Sequence, residues 1–357
     1  MQTKRQIQQL LASAGITANK RLGQHFLIDL NLMRLLVDSA NISSSDIVLE
    51  VGCGTGSLTE AIASLAGKII AVEIDSNLAK IAKKRLAGTD TCGVVSARLG
   101  PDVVSDTCGV VSACLGPDVV SENVIILNTD ILENKNTISQ TVIKSLREAH
   151  KKQSGRLLLV ANLPYNVASA VMINLVTGSI TAPHQLNRQP RLEPKTRPVP
   201  LSLDNWCGAM YVTVQKEVAD RMTAAPGSRD YGTLSILLNA IGDIKTIRTL
   251  KPTVFWPQPQ VDSAMVSFIR KEEKAGRIRN IEIFSKTVRL FMQHRRKMLK
   301  ACVKFAAGPL GKIRDWSQIF EQCSIDPRQR GEQLSPENYI ALANLLALSL
   351  SKGAAGI

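Results

Sequence analysis

No run of about 18 consecutive apolar residues occurs in the sequence, so a membrane-spanning helix is not expected. The opening residues, Met1-Gln2-Thr3-Lys4-Arg5-Gln6-Ile7, lead into a mixed polar stretch and lack the apolar core of a secretory signal. None of the seven cysteines (Cys53, Cys92, Cys108, Cys114, Cys207, Cys302 and Cys323) stands in a CxxC pair, and their number is odd. A disulfide framework and a zinc finger are both poorly supported, no metal is expected, and a reducing cytoplasm is the expected compartment. Acid is scarce: 30 Asp and Glu face 44 Lys and Arg, a net charge of +14. That surplus favours a polyanionic partner.

What is present is enough to build a core. Hydrophobic residues make up 45% of the 357 residues and charged residues 21%, which excludes a mostly disordered chain. The length suggests a large domain with a smaller one. The charge is uneven. Residues 270–330 hold 16 Lys and Arg against 6 Asp and Glu, and residues 1–34 hold five bases (Lys4, Arg5, Lys20, Arg21, Arg34) and one acid, Asp29.

The middle of the chain alternates strand-like and helix-like segments. Buried strands are expected at 46–52, 68–75, 123–130 and 156–162, with weaker candidates at 210–215, 244–250 and 264–269. Helices are expected at 57–65 and 77–86. Repeated βα units imply a mostly parallel sheet with helices on both faces, whose ligands bind beyond the carboxyl ends of the strands. From about 281 apolar residues fall at helical spacing (Ile283, Phe284, Thr287, Val288, Phe291, Leu299), and further helices are expected at 313–322 and 336–350. The expected division is a basic arm over 1–34, a catalytic domain over 35–270 and a basic helical domain over 271–357. Two insertions interrupt the second part. Residues 90–105 recur almost unchanged at 106–121, and 178–205 is rich in Pro, Arg and polar groups; both read as surface loops.

Three segments carry chemistry. Glu50-Val-Gly-Cys-Gly-Thr-Gly56 lies between a strand and a helix, where glycines permit a tight turn and close approach of a ligand. A purely structural turn is the alternative. Glu73 ends the next strand, where a carboxylate can accept from both hydroxyls of a ribose. These two features suit NAD and S-adenosylmethionine equally. Asn162-Leu-Pro-Tyr165 follows the fourth strand. A purine amino group is a poor nucleophile because its lone pair is delocalised. The Asn162 side-chain oxygen and the Pro164 carbonyl can each accept one of its N–H groups, aiming the lone pair at an electrophilic methyl. Tyr165 can stack on the base, a contact worth roughly 1–3 kcal/mol.

With the glycine turn, this segment resembles S-adenosylmethionine-dependent amino-methyltransferases. Further motifs narrow the resemblance to ribosomal RNA adenine N6,N6-dimethyltransferases of the bacterial KsgA type: Lys20-Arg-Leu-Gly-Gln-His-Phe-Leu27, Gln215-Lys-Glu-Val-Ala-Asp-Arg-Met222, Gly227-Ser-Arg-Asp-Tyr-Gly232, Phe255-Trp-Pro-Gln-Pro-Gln-Val-Asp-Ser263, Gln293-His-Arg-Arg-Lys297 and Arg330-Gly-Glu-Gln-Leu-Ser335. The resemblance runs from about residue 20 to 350, outside the two insertions.

It implies a Rossmann-like class I methyltransferase sheet with a small C-terminal helical domain. It also implies S-adenosylmethionine as cofactor and dimethylation of two adjacent adenosines near the 3′ end of small-subunit ribosomal RNA. The partner would be a pre-30S particle and the enzyme a monomer. Two rival readings are a large-subunit adenine methyltransferase of the antibiotic-resistance type and an assembly factor acting mainly by binding. By resemblance, His25 and Leu27 contact the cofactor from the arm, Gly52 lies under its methionine part, Glu73 holds its ribose and Asp130 sits near its adenine amino group. Asn162 touches cofactor and target, and Phe255 packs on the other face of the target adenine. Phe26 is read as a core residue. Lys20 and Arg21, with Arg295, Arg296 and Lys297, are the expected contacts to the RNA backbone.

Overall fold

The computed structural model describes residues 1–19, 22–87, 122–178 and 207–354. Lys20, Arg21 and both insertions lie outside the described residues. In chain order the elements are α1 (Lys4–Ser13), β1 (Phe26–Leu27), α2 (Leu30–Ala40), β2 (Ile47–Val51), α3 (Ser57–Ala63), β3 (Lys68–Glu73), α4 (Ser76–Ala87), β4 (Val124–Asn128), β5 (Leu132–Asn134), β6 (Thr137–Ile138), α5 (Gln140–Lys152), β7 (Leu157–Asn162) and α6 (Ala168–Thr177). They continue with β8 (Cys207–Gln215), α7 (Lys216–Thr223), α8 (Thr233–Ile241), β9 (Gly242–Leu250), β10 (Phe255–Trp256), β11 (Ser263–Arg270), α9 (Glu272–Ala275), α10 (Ile281–Gln293), α11 (Leu299–Cys302), α12 (Trp316–Gln322) and α13 (Pro336–Ala354).

Seven strands form one sheet in the order β4-β3-β2-β7-β8-β11-β9. β2 pairs in parallel with both β3 and β7, and β3 in parallel with β4. Every residue of β2 is buried, and β7 is buried up to its last residue, Asn162. Helices covering both faces leave such strands no wet side, so each reads as a continuous apolar run. From β2 the chain steps outward to β3 and β4, then returns through α5 to β7 on the other side of β2. That reversal makes the carboxyl ends of β2 and β7 the switch point, where open α/β sheets hold their ligands. The opposite ends of these strands are fastened by Asp46, whose carboxylate accepts from the Arg156 guanidinium at 2.7 and 3.1 Å and from the Ser43 backbone at 2.9 Å.

The chain divides into two compact units. The first comprises Met1–Ala168, Ala209–Lys216 and Thr246–Ser267; the second comprises Ser169–Gly208, Glu217–Lys245 and Phe268–Ile357. In the first, the arm is anchored at two points. α1 buries Ile7 and Leu11 against Leu78 of α4, and β1 forms a two-stranded sheet with β10. In the second, Phe291 of α10 is fully buried among the rings of Trp316, Phe320 and Tyr339.

Two sequence expectations need correction here. The helix expected from Ile313 begins only at Trp316, because the Asp315 side chain caps it by accepting from the Gln318 N–H. The helical spacing that reaches Leu299 is interrupted: α10 stops at Gln293, and Leu299 opens a separate short helix.

Candidate active site

The site grows from two turns that touch at the switch point. After β2 the chain turns through Gly52, Gly54 and Gly56, all with positive φ (76°, 57° and 77°). The Gly52 and Cys53 N–H groups donate to the Val72 carbonyl of β3, which fixes the start of the turn. A β-carbon on Gly52 would lie 2.9 Å from Pro164 Cγ, and one on Gly54 would lie 2.9 Å from the Phe26 ring. Both positions therefore need glycine twice over, for backbone conformation and for the neighbour's approach. The far side of the turn is held by Arg85, which donates to the Thr55 and Gly56 carbonyls at 3.1 Å. Gln2, almost fully buried, bonds through its side chain to Thr55 and Arg85.

The second turn follows β7. The Asn162 amide is held at both ends: Nδ2 donates to the His25 carbonyl at 2.7 Å, and Oδ1 accepts from the Thr213 hydroxyl. The Pro164 carbonyl accepts from the Val167 N–H at 3.2 Å. An amide or peptide oxygen has two lone pairs, so each of these acceptors keeps one. The Tyr165 ring stacks on His25 with centroids 5.4 Å apart, and its hydroxyl bonds to the buried Ser263 at 2.8 Å. His25 Nδ1 lies 2.6 Å from the Pro257 carbonyl and so carries the proton there.

Between the turns opens a pocket. Of the residues expected to form the site, His25, Leu27, Gly52, Glu73, Asp130, Asn162 and Pro164 all border it. Tyr165 does not border it but lies one ring away, against His25. Phe255 is placed differently from the expectation. It pairs with Leu27 across the β1–β10 sheet and is 2% exposed, so its ring has no open face. Phe26, read as core, is half-buried, borders the pocket and stacks on Trp256 at 6.2 Å. Periodicity could not separate these neighbours, because a two-residue strand has no repeat to read.

Two buried acids shape the electrostatics. Glu73 Oε2 accepts from the Gly54 N–H at 2.8 Å and Oε1 from the Asp75 N–H at 2.9 Å. Burial raises its pKa, and those two N–H groups pull it back. Glu50, which also borders the pocket, is fully enclosed and bonded by the Thr59 hydroxyl at 2.6 Å. Burial, with the Glu73 charge nearby, pushes its pKa up to about 8. Glu50 is therefore largely protonated at neutral pH. It was not singled out in the sequence, although its place at the head of the glycine turn was a usable signal. Asp130 is exposed, and its side chain caps the next turn by accepting from the Leu132 N–H at 2.9 Å.

In the second unit, three of the motifs noted above converge. The Arg295 guanidinium pairs with Glu332 at 2.9 Å and donates to the Arg229 carbonyl at 3.1 Å. The Gly227 N–H donates to the Glu332 carbonyl at 2.7 Å, and the Tyr231 hydroxyl to the Leu334 carbonyl at 2.8 Å. Arg295 is thus partly a structural tie. Arg296 and Lys297 are exposed, and the Lys297 ammonium stands 5.3 Å from the centre of the Phe305 ring.

The profile of the ribosomal RNA adenine dimethylase family matches residues 15–97 and 112–347. The chain belongs to that family. This dimethylase is 30% identical over 339 residues to the ribosomal RNA small subunit methyltransferase A of Geobacillus thermodenitrificans, covering 95% of this chain and 94% of the relative. It is 29% identical over 347 residues to the protein of the same name from Bacillus mycoides, covering 97% of each. Among solved structures, a dimethyladenosine transferase from Plasmodium falciparum has the same fold, with a TM-score of 0.57 and 21% identity over 91% of this chain and 96% of the other. The dimethylase has the class I methyltransferase α/β fold. No helix among its described residues is long and apolar enough to cross a membrane.

Two outcomes follow from this geometry. Gly52→Ala places a side chain at φ 76° against Pro164 and should lower stability by about 1–2 kcal/mol from the backbone alone, read as a shifted denaturant midpoint. Glu50 has its folded-state pKa above its unfolded value, so the folded state holds the extra proton. Its stabilising contribution is full below about pH 4.5 and is lost as pH rises through about 8. Glu50→Gln should flatten the fall in melting temperature over that window. An identical slope in enzyme and variant would contradict the assignment.

Proposed function

We propose that this dimethylase transfers methyl groups from S-adenosylmethionine to the exocyclic nitrogens of two adjacent adenosines near the 3′ end of small-subunit ribosomal RNA. The observation that carries the reading is the meeting of the Asn162–Tyr165 turn with the glycine turn, Pro164 lying against Gly52. It brings two residues that carry oxygen acceptors, Asn162 and Pro164, to the wall of a pocket suited to an adenosine-bearing ligand.

The pocket residues fit S-adenosylmethionine. Each Glu73 oxygen spends one lone pair on a backbone N–H and keeps another, enough for two ribose hydroxyls. Leu27, Ile74, Leu78 and Ile131 supply apolar wall for the purine, and Asp130 the acceptor for its amino group. Gly52 borders the pocket on the side assigned to the methionine part. The carboxyl groups of Glu50 and Glu73 turn acceptor oxygens toward a cationic ligand, and the arrival of its charge would favour their ionised forms. The cofactor supplies the electrophilic methyl carbon. Asn162 and Pro164 hold the target amine by its two N–H groups and point its lone pair away from the ring plane. Tyr165, braced by Ser263 and His25, offers a face for the extruded base. No strong general base is needed, because the methylated amine loses its proton to water. Phe255 supports the arm from beneath instead of meeting the base.

The small-subunit target is favoured over a large-subunit one by the two small-subunit relatives that match over nearly the whole chain. The RNA backbone is assigned to exposed cations of the C-terminal helical region, Arg296 and Lys297 first, with Arg295 and the Lys20-Arg21 segment. The partner is an incompletely assembled small subunit and the working form a monomer in the cytoplasm.

Incubating the enzyme with labelled cofactor and, in parallel, undermethylated small subunits and large-subunit RNA, then mapping the modified bases, tests the whole reading; label confined to the large-subunit RNA would replace it with the resistance-type activity. Asn162→Ala should cut turnover by about 100-fold or more while RNA affinity stays within a few-fold. Full turnover would remove Asn162 from the mechanism, and binding that promotes assembly without turnover in the unmutated enzyme would favour the assembly-factor reading. Replacing Arg296 and Lys297 by Gln should weaken RNA binding and reduce the slope of log affinity against log salt by roughly 0.7–0.9 per cation removed. An unchanged slope would clear both residues of phosphate contact.

A further inference from the structure

We propose that Thr213 is a positioning residue for Asn162, fixing the amide in the orientation that methyl transfer requires, and that its hydroxyl matters most for the second transfer to each adenosine. The proposal rests on the role assigned to Asn162 above.

Thr213 lies in β8, the strand beside β7, and is fully buried. The stretch around it, Ala209-Met-Tyr-Val-Thr-Val214, is otherwise apolar apart from the Tyr211 hydroxyl. A buried hydroxyl in such a run is costly unless it finds a partner. The hydroxyl and the carbonyl of Thr213 are spent on two consecutive residues, Asn162 at the end of β7 and Leu163 after it. Its hydroxyl donates to Asn162 Oδ1, and its carbonyl accepts from the Leu163 N–H at 3.1 Å. Valine fills nearly the same volume, so packing does not require threonine; the bond to Asn162 does.

A side-chain amide is close to symmetric in shape, and a half-turn exchanges its oxygen and nitrogen. Here the two orientations are far from equal. In the observed one, Nδ2 faces the His25 carbonyl and Oδ1 faces a donor. In the reversed one, Oδ1 meets the His25 carbonyl, acceptor against acceptor. Removing the Thr213 hydroxyl deletes one of the two bonds that hold the amide, and the amide rocks about the one that remains.

The two transfers feel this unequally. In the first, the adenine amine has two N–H groups and meets two acceptors, so it is held at two points. The first transfer replaces one hydrogen by methyl, and the amine then has a single N–H. One acceptor falls idle, and aim depends on the rigidity of the other. A loosened Asn162 amide therefore penalises the second transfer beyond the first.

The test uses the full enzyme with small subunits lacking these methyl groups. Thr213→Val should lower kcat about tenfold, the order of one lost hydrogen bond, with KM for S-adenosylmethionine within twofold. N6-monomethyladenosine should build up where the unmutated enzyme passes quickly to the dimethyl product. Thr213→Ser should restore both rate and product ratio, which a packing role would not predict. If the valine variant does not fold, Thr213→Ala against Thr213→Ser gives the same contrast. In the Asn162→Ala background, Thr213→Val should cause no further loss. Unchanged rate and product ratio in Thr213→Val, with Asn162→Ala inactive, overturn this inference alone. An active Asn162→Ala enzyme overturns the assignment on which it rests.

Discussion

Everything in the catalytic unit depends on one contact, that of a residue without a side chain against a proline ring. Gly52 leaves the space that Pro164 occupies, and through it the turn after β2 and the turn after β7 lie against one another. The parallel pairing of the two strands sets the distance between the turns, and the Asp46–Arg156 ion pair fastens the strands at their far ends. The sheet thus acts as a rigid ruler, and the chemistry sits at its graduated end. A site that works by aiming a weak nucleophile needs that rigidity more than it needs acids or bases.

Around the contact, buried polar groups are paired with an economy that explains the arm. The Asn162 amide is satisfied by a carbonyl from the arm and a hydroxyl from β8, two segments remote in sequence. Glu73 is held by backbone N–H groups, whereas Glu50 has a hydroxyl partner and little else. Burial raises the pKa of both acids; backbone N–H groups oppose the rise at Glu73, and the Thr59 hydroxyl opposes it at Glu50.

The sheet was largely legible in the sequence because β2, β3, β4 and β7 are buried on both faces and read as apolar runs ending at glycine or polar residues. Residues that border the pocket were legible wherever a turn followed such a strand, as at Gly52, Glu73 and Asn162. Other features left weaker traces. α8 is apolar on nearly every side, so it has no stripe to reveal a helix. α1 and α5 do carry such stripes, Ile7 and Leu11 in the first and Val142, Ile143, Leu146 and Ala149 in the second. Phe26 and Phe255 stand on paired strands of two residues each, where only the three-dimensional register decides which ring meets the pocket. Charge counting found the basic region but could not distinguish Arg295, tied to Glu332 and the Arg229 carbonyl, from Arg296 beside it. Thr213 is invisible by any motif, since its bond to Asn162 depends on what the neighbouring strand presents to it.

The first unit is assembled from three stretches of chain, the last ending at Ser267. Growing from the N-terminus, the polypeptide has made β2, β3, β4 and β7 long before β8 and β11 exist to flank them. During synthesis the β7 edge therefore stays open for roughly fifty residues, at least until Ala209–Lys216 has left the exit tunnel. Thr213 arrives with that stretch, so the hydrogen bond to Asn162 Oδ1 can form only once the chain is past the midpoint of translation. Cutting the gene at any single point would give no fragment holding a whole first unit unless it kept everything up to Ser267.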